Sequence, residues 1–148
     1  MNTTRPKLIN GEIQDVPVWL DEFSYCTQRI AIAAGAQATQ NIAIEANSDF
    51  EWIKATFFAD IAAAGQTVAT QVIPLVNVLI SDTGSGRQLM NTAVTVPQIF
   101  GTGQLPFIQP IKRVFKANSN ITIQLTNFDA ANTYNIQLAL IGIKVFYL

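Results

Sequence analysis

The sequence contains no histidine and a single cysteine, Cys26. Ser-His-Asp and Cys-His catalysis both need an imidazole, so neither is available. A Cys/His zinc site is excluded on the same ground, and one cysteine cannot form an intrachain disulfide. Charge is scarce as well. Charged residues make up 13% of the chain, with 9 basic against 10 acidic side chains and a net charge of −1, where an average domain carries about 25%. Nucleic-acid binding calls for a concentrated Lys/Arg face. Only Lys112, Arg113 and Lys116 cluster, and three cations on one strand read as a solvated face. No apolar run approaches the ~18 residues of a membrane span. The opening MNTTRPKLINGE has no apolar core, so no secretory leader is expected. No binding of nucleic acid, membrane, metal or cofactor is expected.

What is present is 49% hydrophobic residues over 148 positions, enough for one domain with a real core. The polar load is Thr, Asn and Gln, which suits sheet faces and protein contacts. Residues 1–22 read as an extended, irregular arm. Pro6 and Pro17 break helices, Asn10-Gly11 signals a turn, and Glu12, Asp15, Asp21 and Glu22 gather acid there. The apolar Val16, Val18, Trp19, Leu20 and Phe23 need a surface to cover. Packing on the chain's own body is the plain reading, and reaching a neighbouring subunit the sharper one.

Residues 23–148 read as one β-domain. Strands are expected over 25–33, 39–46, 50–60, 72–80, 92–96, 107–116, 121–126 and 134–148, with a long loop over 61–70. Ile42 and Ile44 alternate with Asn41 and Ala43. Ile121, Ile123 and Leu125 alternate with Thr122, Gln124 and Thr126, as a half-buried antiparallel strand does. Residues 72–80 are apolar on both phases, so burial on both faces is expected there. In the strand over 50–60, Phe50 and Trp52 lie on the opposite phase from Ile53, Ala55 and Phe57. In the last strand the apolar phase moves from Ile136, Leu138 and Leu140 to Ile143, Val145 and Tyr147 across Gly142, as at a bulge. About eight strands with closely spaced turns and no long amphipathic helix give an all-β, antiparallel β-sandwich, jelly-roll-like, with an Ig-like sandwich as the alternative.

One motif points to chemistry. Asp82-Thr83-Gly84-Ser85 follows an apolar strand, as the active-site signature of aspartic proteases does. Those enzymes pair two such aspartates, so a single copy would need a homodimer. The plainer reading is a polar turn in which the Asp82 carboxylate caps the backbone of Gly84 or Ser85. The loop lacks the Gly-Lys-Ser/Thr ending of a phosphate-binding P-loop, and no helix pattern follows it.

The segments LISDTGSGRQLMN, VTVPQIFGTGQLPF and FKANSNITIQLTNFDAANTYNIQLALIGIKVF, in that order over residues 45–148, resemble small virion structural proteins of tailed bacteriophages. The resemblance implies a non-enzymatic cement or decoration protein on the capsid exterior, made in host cytoplasm. Its implied partner is the major capsid protein, and its implied state a homo-oligomer, with a trimer favoured. Val16, Val18, Trp19 and Phe23 are the candidate capsid or subunit contacts. A carbohydrate- or receptor-binding module of a fibre or baseplate is the alternative, and it would need an exposed Trp52 or a tyrosine beside polar groups.

Overall fold

The computed structural model describes residues 3–148. The first two residues of the expected arm lie outside the described residues. The described residues form eleven strands: β1 (Thr3–Ile9), β2 (Glu12–Cys26), β3 (Ile30–Ile32), β4 (Gln37–Ala43), β5 (Asp49–Ile61), β6 (Val76–Asp82), β7 (Arg87–Gln88), β8 (Val94–Thr95), β9 (Phe107–Phe115), β10 (Asn120–Asn127) and β11 (Tyr134–Tyr147). A 3-10 turn over Val96–Gln98 is the one helical element among the described residues. One sheet runs β1-β2-β11-β5-β9, with β3 continuing the β2 side of β11. The other runs β4-β10-β6-β7, with β8 on β6. Every strand pair is antiparallel. This is the expected all-β sandwich of jelly-roll type.

The core forms where the alternating faces meet. Ile121, Ile123 and Leu125 of β10 and Val76, Val78 and Ile80 of β6 are fully buried. They face Phe50, Ala55, Ile136, Leu138 and Leu140 of the other sheet. β10 therefore follows its sequence pattern. For β6 the sequence reading is corrected. The strand starts at Val76, leaving Pro74 in the preceding loop, and Asn77, Leu79 and Ser81 are only half-buried. Its outer face, with Leu79 between Asn77 and Ser81, is mixed in sequence and only partly covered.

The N-terminal segment departs most from expectation. It is extended but regular, because Asn10 and Gly11 both take positive φ, 51° and 84°. Two consecutive left-handed residues make the turn that fits the strand twist of a tight hairpin. β1 pairs β2 from Thr3↔Val18 to Ile9↔Glu12. β2 then runs on unbroken, pairing β11 from Val18↔Tyr147 to Cys26↔Ala139. Residues 18–26 are thus part of the sheet, while residues 12–17 pair in the ladder with β1 alone and project beyond it. Pro6 is tolerated because β1 is an edge strand.

The phase conflict in β5 has a single cause. Trp52 pairs Gly142 and Lys54 pairs Ile141, so Ile53 is an extra residue. With one residue bulged out, Phe50 and Trp52 share the core face with Ala55, Phe57 and Ala59. The expected slip in β11 is corrected in the same way. The bulge lies on β5, and β11 keeps its phase through buried Gly142 and Lys144. Val145 is buried on the other face, inside the curl of the sheet. At Gly142 a Cβ would overlap the Glu51 carbonyl oxygen. Because that contact is backbone, no rotamer change relieves it. Gly142→Ala is expected to destabilise by roughly 3 kcal/mol, read as a lower urea midpoint. An unchanged midpoint would show that the two backbones can move apart.

Candidate functional site

The four candidate contact residues divide by position. Val18 is buried between Thr3 of β1 and Tyr147 of β11. Phe23 packs on the core, with its ring edge-on to Tyr25 at a centroid distance of 4.8 Å. Val16 is half-buried opposite Arg5. Trp19 is 58% exposed and lies 5.1 Å from Phe146. Three of the four are engaged within the chain's own fold, and Trp19 presents its ring to solvent. The sequence reading did not single out Leu8 and Ile13, which face each other across the hairpin tip at 69% and 77% exposure. The signal for them was Asn-Gly between two strand-like runs, which marks a hairpin as well as a turn.

Buried charge fixes the hairpin to the body. Glu51 lies inside the curl of the first sheet, almost fully buried. It accepts from Arg5 Nε at 2.8 Å and from Lys112 Nζ at 3.0 Å. Arg5 is on β1 and Lys112 on β9, so one carboxylate ties the two edges of the sheet together. Burial alone would raise the Glu51 pKa. The hydrogen bonds and charges of Arg5 and Lys112 outweigh it and hold the carboxyl below its ordinary value. Lys7 adds a cation over the Tyr147 ring at 4.5 Å.

A second ion pair, between buried Lys144 and exposed Glu45, joins sheet to turn. Lys144 Nζ lies 2.7 Å from Glu45 Oε2 and 3.6 Å from the Phe23 ring centroid. The Glu45 amide donates to Tyr25 Oη at 3.2 Å. Phe23 therefore forms part of an internal cation cage.

The DTGS segment makes the expected capped turn. Asp82 Oδ1 accepts the Gly84 amide at 2.9 Å. Thr83 Oγ1 donates to the Asn120 carbonyl at 2.8 Å and accepts its amide at 2.9 Å. A Cβ on Gly84 would come 2.8 Å from Ser119 Cβ. The motif thus locks the turn after β6 onto the turn before β10. Trp52 is buried, with Nε1 donating to the Lys54 carbonyl at 2.6 Å, so it offers no platform for a sugar. Among the described residues, no group of three or more His, Cys, Asp or Glu side chains could hold a metal ion. No helix among them is long and apolar enough to cross a membrane.

What remains accessible is apolar surface. Beyond the hairpin, β9 exposes Ile108, Ile111 and Val114. An open groove of about 610 Å³ lies beside the β5 bulge, lined by Glu22, Ser24, Ile53, Lys54, Ile141 and Ile143.

No family model matches the sequence, and no curated protein matches it. Among solved structures, the infectious bursal disease virus VP2 subviral particle superposes with a TM-score of 0.40 and 12% identity, over 97% of this chain and 41% of that one. The structure of the Gx strain of the same virus gives a TM-score of 0.35 and 12% identity, over 97% and 36%. The chain spans about two-fifths of the length of those chains. Superpositions this loose transfer nothing from those proteins to this one.

The Glu51 cluster predicts an acid response. A carboxyl with a lowered folded pKa stabilises fully above its unfolded value, about 4.3, and loses that contribution as pH falls through the folded value. The hairpin should therefore loosen below about pH 4, with amide exchange at residues 3–9 rising before the core amides exchange. Glu51→Gln should cost about 2 kcal/mol, less than a fully buried pair because Arg5 and Lys112 are partly solvated. The variant should also abolish the early acid step. An acid step that survives in Glu51→Gln would assign it to another group.

Proposed function

We propose that this chain is a non-enzymatic structural protein of a tailed-phage virion that binds the capsid exterior as a cement protein. The major capsid protein is its partner, and a homo-oligomer, with a trimer favoured, its working state. The protein is made in the host cytoplasm and ends up in the particle. The sequence resemblance over residues 45–148 is one support. The observation that carries the reading is the projecting hairpin. It holds Leu8 and Ile13 clear of the core, on a ribbon braced at its base by the ion pairs of buried Glu51, and exposed Trp19 follows it where β2 joins the sheet.

Such an element suits binding without chemistry. Exposed apolar and aromatic side chains on a braced ribbon lose little conformational entropy when covered. Each copy bridging two capsid subunits would add association free energy to the shell. Asp82, the side chain with a catalytic signature, is occupied in its own turn.

A second reading rests on the Trp19–Phe146 pair, whose tilted rings form an aromatic shelf on the face of β2 that carries Asp21. A receptor-binding module could place a sugar there, and a glycan array that Trp19→Ala silences would favour it.

The test is co-sedimentation with purified capsids that lack the protein. Binding should saturate and should raise the temperature at which the capsids open. Trp19→Ala should weaken binding about thirtyfold, equivalent to about 2 kcal/mol for a central aromatic contact. It should leave the melting temperature of the free chain nearly unchanged. Removal of residues 1–17 is the sharper variant, because it keeps the part of β2 that pairs β11. Full binding by that truncation would sink the hairpin's role, and no binding by the intact chain would sink the cement reading.

A further inference from the structure

The two edges of the curled sheet carry opposite character. On the hairpin side, Glu12, Asp15, Asp21 and Glu22 are exposed. None of them has an ion-pair partner among the described residues. The cross-strand pair Leu8 and Ile13 gives the hairpin tip an apolar face that also carries Asp15, while the hairpin's cations Arg5 and Lys7 are engaged on the other face by Glu51 and the Tyr147 ring. On the opposite edge, β9 exposes Ile108 at 63% and Ile111 at 80%. Cations are in excess there. Lys112 shares the Glu51 carboxylate with Arg5 of the hairpin, and Arg113 meets no acid among the described residues, its guanidinium reaching only the Leu89 carbonyl at 3.5 Å. The β5–β9 ladder also breaks between Ile108 and Arg113, so the backbone of residues 109–112 has no ladder partner and is open to a neighbour.

We propose that the hairpin tip of one copy seats on the β9 strip of a second copy. Leu8 and Ile13 cover Ile111, while Asp15, on the same face of the ribbon as Ile13, lies against Arg113. The occupant is a second copy because this chain carries both complements, an acidic apolar tip and a basic apolar strip. The two patches differ, so each copy offers one of each, and the contact repeats head to tail, closing a ring where its rotation divides a full turn. The inference rests on reading the chain as an assembling structural protein and names the contact that would build its oligomer.

Native mass spectrometry of the full chain over a range of concentrations and salt tests it, with capsid binding measured in parallel. The intact chain should assemble, and raised salt should weaken assembly. Ile13→Asp and Ile111→Asp should each weaken self-association about tenfold or more. Both positions are exposed, so circular dichroism and melting should match the parent chain. Mixing the two variants should restore association as a one-to-one pair, because each supplies the patch the other has lost. A single-chain mass at every concentration would overturn the contact, as would variants that assemble like the parent or a mixture that gains nothing. If the single chain still binds capsids, the contact fails and the cement reading stands. Assembly as described without capsid binding would do the reverse.

Discussion

Two backbones meet at Gly142 with no space for a side chain between them. Much of the molecule follows from that approach. Opposite Gly142, β5 carries Ile53 as an extra residue, and a bulged strand bends and twists more strongly than a regular one. The bend curls the first sheet. It brings two sets of β5 side chains that are out of phase in sequence onto one core face. It also places Glu51 on the inside of the curl, where water is largely excluded and β1 and β9 can both reach it. A regular ladder would leave Glu51 on an open sheet face, where an ion pair contributes little.

The curl also determines how the chain spends its few charges. Arg5, Lys112, Lys116 and Lys144 are taken up by Glu51, Asp49 and Glu45 within the fold. The remaining accessible surface is rich in exposed apolar side chains at the hairpin tip, along β9 and in the loop before β6. Isolated apolar residues on a surface are ordinary. Here Leu8 and Ile13 lie on a projecting ribbon and Ile108, Ile111 and Val114 on an interrupted edge strand, and it is this placement that favours contact with other protein.

The DTGS segment shows how a motif can carry shape instead of chemistry. Asp, Thr and Gly serve a catalytic loop because they make tight, self-bonded turns, and those properties serve a structural turn equally well. In this chain the carboxylate, the hydroxyl and the missing Cβ each have an internal use, joining the turn after β6 to the strand start at Asn120.

The sequence by itself determined the all-β class, the alternating faces of β10 and β4, the loop over residues 61–70 and the capped turn at Asp82. Each is a local property, set by side-chain period or by a side chain bonding its own backbone within a few residues. The phase conflicts at Trp52 and Gly142 were visible too, but only as conflicts. Which strand carries the extra residue depends on what lies across the ladder, 90 positions away in the chain. Asn10-Gly11 marked the turn, yet the partner that makes residues 18–26 a sheet strand is β11, at the far end of the sequence, and residues 12–17 are a ribbon because they pair β1 beyond its reach. Val18 and Phe23 look alike to Trp19 as apolar residues on one segment. Only the tertiary structure decided that the first two are covered and the third is not, because burial belongs to the surfaces that fold over a residue and not to the residue itself.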